Sequence, residues 1–263
     1  EIDGLRAIAV IFVILGHLNS LNFVTGGVNF FFVISGFLIT QIILKSDLNV
    51  FNFYKTRFLK LYPSIFIISI LTILLFFVIG NFVNWSLVLR SFVSTLIGVL
   101  NFYLIILGDV YGQSRYLNPF SHFWALCVII QFYLTFPFIL KIIFFIKKKI
   151  NLGYRFVFFI LLIVSLILFF FTFFYKNSLF FDFYSPLSRY WQFLLGSCLY
   201  FFFTFKNKFF FENFAIYLAV ILFIIWQLDL ETFYNWRHTQ ILLTFSALLF
   251  LYSTQINFIN KIL

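Results

Sequence analysis

Four places in the chain set polar or ionisable side chains inside long apolar runs, and each has the residue types for chemistry. Arg6 and His17 share the first run, Ile2–Leu21, reading IDGLRAIAVIFVILGHLNSL. Eleven residues at about 100° each return a helix to within roughly 20° of its starting direction, so guanidinium and imidazole share one face about 16 Å apart along the axis. A cation in hydrocarbon costs about 2.5–3.5 kcal/mol on insertion scales, so such residues are usually kept for a pathway or a reaction. A neutral imidazole can serve as a general base. The competing reading stays open: Arg6 as a snorkelling anchor and His17 as a hydrogen-bonded core residue.

Three further constellations follow. FYKTRFLKLYP, Phe53–Pro63, carries Tyr54, Arg57, Lys60 and Tyr62. Arg57 and Lys60 stand three apart, which suits a phosphate-bearing ligand arriving from the cytoplasm, although topology-setting charge alone also explains them. NPFSHFWALCVIIQFYLTFP, Asn118–Pro137, carries His122, Trp124, Gln131 and Tyr133. An interfacial aromatic belt accounts for Trp124 and Tyr133 but not for His122 or Gln131. SPLSRYWQFLLG, Ser185–Gly196, sets Arg189 and Gln192 three apart at the start of a span. Here Trp191 is expected as an interface anchor and Gln192 as polar glue between helices. Ser35-Gly36-Phe37, in the second run, reads as a site of close helix packing. The chain lacks a Gly-rich phosphate loop, His and Glu at metal-ligand spacing and a Gly-x-Ser-x-Gly elbow, so no metal is expected.

The elements that must position these residues are transmembrane helices. At 263 residues, 63% hydrophobic and 10% charged, with mean hydropathy +1.08, the chain is too apolar for a soluble domain, whose apolar share is about 45–50%. Apolar runs of about 20 residues select helices over the alternating pattern of a barrel. The expected class is therefore all-α, a polytopic transmembrane helical bundle in a lipid bilayer. The net charge of +10 lies in short clusters between runs, which the positive-inside rule explains better than nucleic acid does. Cys127 and Cys198 sit inside apolar runs and are expected to pack. The run Ile2–Leu21 has no basic leader or small-residue cleavage site, and a chain beginning at Glu1 without Met implies that the true N-terminus lies upstream.

Loop charge then gives a topology. From a cytoplasmic N-terminus, Val28–Leu44 returns to a loop bearing Lys45, Lys55, Arg57 and Lys60, and Leu61–Gly80 leads out with Pro63 in its first turn. Phe120–Leu140 is followed by Lys141, Lys147, Lys148, Lys149 and Arg155, a cytoplasmic signature. That parity requires Leu87–Leu107 not to cross completely. Its Arg90, Ser91, Ser94, Thr95, Gly98 and Asn101 suit a re-entrant segment lining a cavity, a full span with an outside lysine run being the alternative. Phe156–Tyr175, Arg189–Phe205, Ala215–Leu228 and Thr239–Thr254 complete about eight spans plus one re-entrant or partial helix, in a single membrane domain over residues 1–263.

Together these stretches resemble the acyltransferase-3 family of membrane O-acyltransferases, which move acyl groups from cytoplasmic acyl-CoA to sugars of lipopolysaccharide O-antigen, exopolysaccharide, peptidoglycan or antibiotics. EIDGLRAIAVIFVILGH, GGVNFFFVISGFLIT, FYKTRFLKLYP, SHFWALCVIIQFYLTFP and SPLSRYWQFLLG occur in family order, covering Glu1 to about Phe203. The resemblance implies that His17 is the catalytic base with Arg6 beside it. It implies that Arg57, Lys60 and Tyr54 contribute to the site for acetyl-CoA or another acyl-CoA, and that Asn29, Ser35, His122, Trp124, Gln131, Tyr133, Arg189 and Gln192 support substrate or structure.

The resemblance also implies a cell-envelope glycan acceptor and a bacterial inner membrane, and leaves the oligomeric state open. Several positions depart from the family pattern. Asn29 replaces an aspartate, Gln192 a glutamate, Lys60 an arginine, and Ile129 and Ile130 stand where one or two glutamates precede Gln-Phe-Tyr. The chain stops before the family's last helices, as a fragment, decayed copy or divergent member would. Two rivals follow: a remnant that binds acyl-CoA or glycan without turnover, and a transporter of acyl groups or lipid-linked sugars.

Overall fold

The computed structural model describes residues 2–17, 27–46, 48–79, 85–108, 118–175, 178–205, 212–228 and 236–262, and these are helical with no strand among them. The α-helices are α1 (Ile2–His17), α2 (Gly27–Lys45), α3 (Val50–Ile79), α4 (Trp85–Ile97), α5 (Leu100–Ile106), α6 (Trp124–Lys149), α7 (Tyr154–Phe174), α8 (Leu187–Phe205), α9 (Glu212–Leu228) and α10 (Trp236–Ile262). Four are long and apolar enough to cross a bilayer, namely α2, α3, α6 with its preceding turn, and α7, while residues of α4, α9 and α10 form shorter apolar stretches. With large apolar side chains such as Phe66, Ile67, Leu71 and Leu75 of α3 facing outward, this is an integral membrane protein.

Several boundaries differ from those expected, each for a local reason. α3 begins at Val50 because Asn49 caps it: its Oδ1 accepts from Asn52 N at 3.2 Å and its carbonyl from Phe53 N at 3.1 Å. Pro63 consequently lies well inside the helix, where it removes one bond to the preceding turn. Lys147, Lys148 and Lys149 are the last turn of α6, not a loop, where their charge complements the carbonyl end of the helix. Asn151 at φ 55 and the Leu152 N–H to Lys147 carbonyl bond (2.9 Å) then stop the chain in a Schellman-type cap. The segment expected not to cross completely is two helices, broken at Gly98, whose φ of +81 favours glycine. At 13 and 7 residues, neither half reaches the ~20 needed to span hydrocarbon.

The chain divides into two compact units. One comprises Glu1–Gln41, Ile143–Phe173 and Tyr190–Leu263. Its core joins Leu5 and Ala9 of α1, Phe30, Val33, Ile34 and Phe37 of α2, and Leu243, Ala247 and Leu251 of α10. Lipid tails are as apolar as these side chains, so close packing must supply the attraction that water supplies elsewhere. The glycines show where. A Cβ on Gly36 of α2 would collide with the Phe193 carbonyl of α8, and one on Gly196 of α8 with the Val33 carbonyl of α2. Phe32 stacks on Phe193 beside this crossing, with ring centroids 4.7 Å apart. A Cβ on Gly27 would likewise meet the Ala9 carbonyl and Val13 of α1. Along the pair Asn29 meets Gln192, Phe32 meets Phe193 and Phe37 meets Tyr200, so α2 and α8 run parallel.

The second unit, Ile42–Ile142 with Phe174–Arg189, holds α3, α4, α5 and most of α6. Side chains tie these helices through backbone acceptors: Tyr62 of α3 donates to the Leu96 carbonyl of α4 at 2.6 Å. Asn118 Nδ2 donates to Ser91 Oγ at 2.8 Å, anchoring the entry to α6 against α4.

Gly36→Ala tests the backbone crossing. Because the obstacle is backbone rather than a flexible side-chain end, the substitution is expected to cost about 1–3 kcal/mol, read as a lower midpoint of thermal unfolding in detergent. Gly153→Ala, where a Cβ meets nothing within 4 Å, serves as the control and is expected to leave the midpoint unchanged.

Candidate functional site

In the unit that contains α1, the first turns place Arg6 half-buried beside the buried Leu5 and Ala9, while Ala7, Ile8, Val10, Ile11 and Ile14 face out. Positions 6, 9, 13 and 17 form one helical stripe. Gly27 presses on this stripe at Ala9 and Val13, so Arg6 and His17 bracket the contact between α1 and α2 by register. The His17 side chain lies outside the described residues.

Deeper in this unit the α2–α8 crossing brings three amides together. Gln192 of α8 donates through Nε2 to Asn29 Oδ1 of α2 at 3.0 Å and to Gln240 Oε1 of α10 at 3.2 Å. Asn29, Gln192 and Gln240 are all buried. In a medium that offers no water, such bonds hold three helices in fixed register. The network is neutral: the positions where the family resemblance led to an expectation of aspartate and glutamate carry amides that hydrogen-bond each other. Ser35 is also buried in α2, one residue before the glycine crossing. Trp191, expected at a membrane interface, is instead 1% exposed and packs edge-on against Phe169. Its carbonyl accepts from Ser165 of α7 at 3.0 Å, so α7 covers the face that was expected to meet headgroups.

The other unit carries the basic and aromatic motifs. Arg57 lies half-buried with its guanidinium carbon 5.9 Å from the ring centres of both Phe53 and Tyr133, within cation–π range. Lys60 is exposed, so the two cations do not present alike despite their spacing. Tyr54 donates its hydroxyl to the Leu134 carbonyl of α6 and lines an open groove of about 560 Å³ with Leu48, Asn49, Val50, Phe51, Phe138 and Lys141. This groove pairs apolar walls with one ammonium group, the surface an amphiphilic anion requires.

Gln131 is the latch of the broken helix. Its Nε2 donates to the Gly98 carbonyl at 2.8 Å and to Asn101 Oδ1 at 2.7 Å, and its Oε1 accepts from Asn101 Nδ2 at 3.2 Å. Irregular backbone needs such partners in the absence of water. Arg189, 2% exposed, donates Nε and Nη2 to the Phe183 carbonyl at 3.0 and 2.8 Å and stacks over Phe183 and Trp124. Trp124 is buried against Phe183 and Tyr184. His122 is exposed in the 3₁₀ turn Ser121–Phe123.

Of the residues singled out from sequence, the structure joins Asn29 with Gln192, Arg57 with Tyr133, and Arg189 with Trp124. Lys60 and His122 stand on the surface. Sequence reading missed Gln240, which gives the same signal as Gln192, a lone amide in an apolar run, and Lys141, noted only as loop charge. No group of His, Cys, Asp and Glu able to hold a metal occurs among the described residues, and both cysteines are free and buried.

A family model described as an acyltransferase domain matches residues 1–263. A Staphylococcus aureus (strain COL) protein provisionally named an O-acetyltransferase is 34% identical over 166 residues, covering 59% of this chain and 27% of its own length. The O-acetyltransferase OatA of Staphylococcus aureus (strain NCTC 8325) is 33% identical over 149 residues, covering 53% of this chain and 24% of its own length. The chain thus spans about a quarter of the length of these curated relatives. No solved structure matches.

Gln131→Leu tests the latch. It keeps the side chain's bulk but strips the Gly98 carbonyl and Asn101 Oδ1 of the Gln131 donor, Asn101 Nδ2 keeping the Tyr184 carbonyl at 3.3 Å, and is expected to cost about 1–3 kcal/mol in thermal unfolding. Thr72→Val in α3, which removes a bond to its own helix's Ile68 carbonyl, is the control and is expected to change little.

Proposed function

The chain belongs to the acyltransferase domain family that matches residues 1–263, and on that premise we propose that it transfers an acyl group, acetyl first of all, from acyl-CoA to a hydroxyl of a cell-envelope glycan. The family match over residues 1–263 carries this reading, and the O-acetyltransferase names of the relatives support acetyl as the group and oxygen as its destination. Residues 1–263 act as one membrane-embedded domain in the bacterial inner membrane, with the N-terminal end of α1 on the cytoplasmic side.

His17 takes the proton of the acceptor hydroxyl as its oxygen attacks the thioester carbonyl. The new C–O bond forms, the C–S bond breaks, and the CoA sulfur leaves as the thiol with the proton that the imidazole held. Positioned proton transfer of this kind contributes typically 10²- to 10⁴-fold. Arg6, on the same stripe of α1, orients the donor's polar atoms. Arg57 and Lys60 attract CoA phosphates. The Tyr54 groove with Lys141 offers an acyl-CoA an apolar wall and a cation.

A second reading, binding without turnover, is favoured by one observation. The buried network around Gln192 is neutral where an ionised carboxylate would strengthen a neighbouring base.

The two readings separate on label transfer from radioactive acetyl-CoA to envelope glycan in membranes carrying the full-length protein. His17→Ala is expected to lower transfer at least 100-fold with insertion intact. Arg57→Ala is expected to raise KM for acetyl-CoA several-fold with a smaller effect on kcat. Full transfer by an inserted His17→Ala protein overturns the mechanism, and binding of acetyl-CoA with no transfer by the wild type favours the second reading.

A further inference from the structure

The amide network is incomplete in a specific way. Gln192 Oε1, Gln240 Nε2 and Thr244 Oγ1 are buried and have no hydrogen-bond partner among the described residues. Their residues are 0%, 1% and 0% exposed. The Gln192 and Gln240 amides are bonded to each other, and Thr244 follows Gln240 by one turn on the same face of α10, so the three open atoms belong to one place. Most described helical threonines bond back to their own helix. Thr40, Thr56, Thr72, Thr95, Thr135 and Thr172 each donate to the carbonyl four residues earlier, the usual resort of a helical threonine in an apolar setting. Thr244 does not, although the Gln240 carbonyl stands in that position. Buried polar groups in folded proteins are nearly always paired, so three unmet together point to a ligand.

The open atoms also define the chemistry of that ligand. Gln192 Oε1 can only accept, Gln240 Nε2 can only donate, and Thr244 can do either. Reversing all three amides together keeps both bonds within the network and still leaves one carbonyl and one amino group open. An anion would meet a carbonyl, a bare cation would meet an amide N–H, and a thioester carbonyl would leave Gln192 unmet. A hydroxyl satisfies the set.

We propose that Gln192, Gln240 and Thr244 form a neutral receptor for one hydroxyl group: the O–H donates to the Gln192 carbonyl, its oxygen accepts from the Gln240 amide, and the Thr244 hydroxyl supplies a further contact. Two sources offer that group, water and an alcohol of the glycan acceptor. The second rests on the acyl-transfer reading above.

The test is a structure of the full-length protein in lipid nanodiscs, at a resolution that shows ordered waters, with and without methyl β-D-glucopyranoside as a neutral alcohol probe. An isolated oxygen within hydrogen-bond distance of both amides in either preparation supports the receptor with water as the source. Density continuous with the glucoside ring supports it with the acceptor as the source. No oxygen at that place, or open atoms bonded instead to protein groups, overturns it.

Gln240→Leu is expected to abolish the bound oxygen. Where the acceptor is the source, it also raises KM for the alcohol about tenfold while KM for acetyl-CoA stays the same, one hydrogen bond being worth about that factor. Gln240→Met, which keeps the length of the side chain but has no donor, gives the same result should the leucine variant fail to fold. Acetyl transfer measured on the same sample separates the two claims. Transfer with an empty receptor defeats this inference alone, and a bound oxygen without transfer defeats the acyl-transfer reading alone.

Discussion

Backbone contact between α2 and α8 is the constraint on which the rest of their unit depends. Gly36 and Gly196 let the two helices meet at a separation no other residue allows. That approach brings Asn29 and Gln192 into hydrogen-bond range, and Gln192 in turn reaches Gln240 on α10. The same α2 receives α1 through Gly27, so the stripe carrying Arg6 and His17 is held against the helix that carries the amides. In a bilayer this ordering is physically natural. Small residues set distance by packing, and polar side chains then fix rotation and register because lipid offers them nothing else.

Polar groups that water would satisfy in a soluble protein are satisfied here by the protein's own irregularities. Gln131 meets the carbonyl exposed where Gly98 breaks a helix, and Arg189 meets the Phe183 carbonyl in the segment before α8. Both are residues that the family resemblance gives as supports of substrate or structure. Their bonds tie a broken helix and an irregular segment in place. The network around Gln192 differs because it remains open after its internal bonds are made.

The all-helical class and most helix centres were legible because twenty-residue apolar runs leave few alternatives. The boundaries were less so. Pro63 looked like a helix start, as prolines often are, but Asn49 offers a better cap and the helix begins there. Gln192 and Asn29 were each visible as polar residues in apolar runs. Their partnership was not, since 163 residues separate them and no local pattern encodes a tertiary hydrogen bond. Trp191 shows the opposite failure. An aromatic at a span's start usually marks headgroups, and only the packing of α7 across it shows that this one is core. The spacing of Arg57 and Lys60 suggested one cationic face, yet residues three apart on a helix still differ by about 60° in direction, enough to send Arg57 over aromatic rings and leave Lys60 exposed.

The most direct measurement is a double-mutant cycle on Asn29 and Gln192, by thermal unfolding of the full-length protein in nanodiscs with Asn29→Leu, Gln192→Leu and the pair. A direct bond between α2 and α8 predicts a coupling of about 0.6 to 2 kcal/mol, the range of hydrogen bonds between membrane helices. Additive effects, with coupling near zero, would contradict the account, because the two helices would then not be registered through these amides.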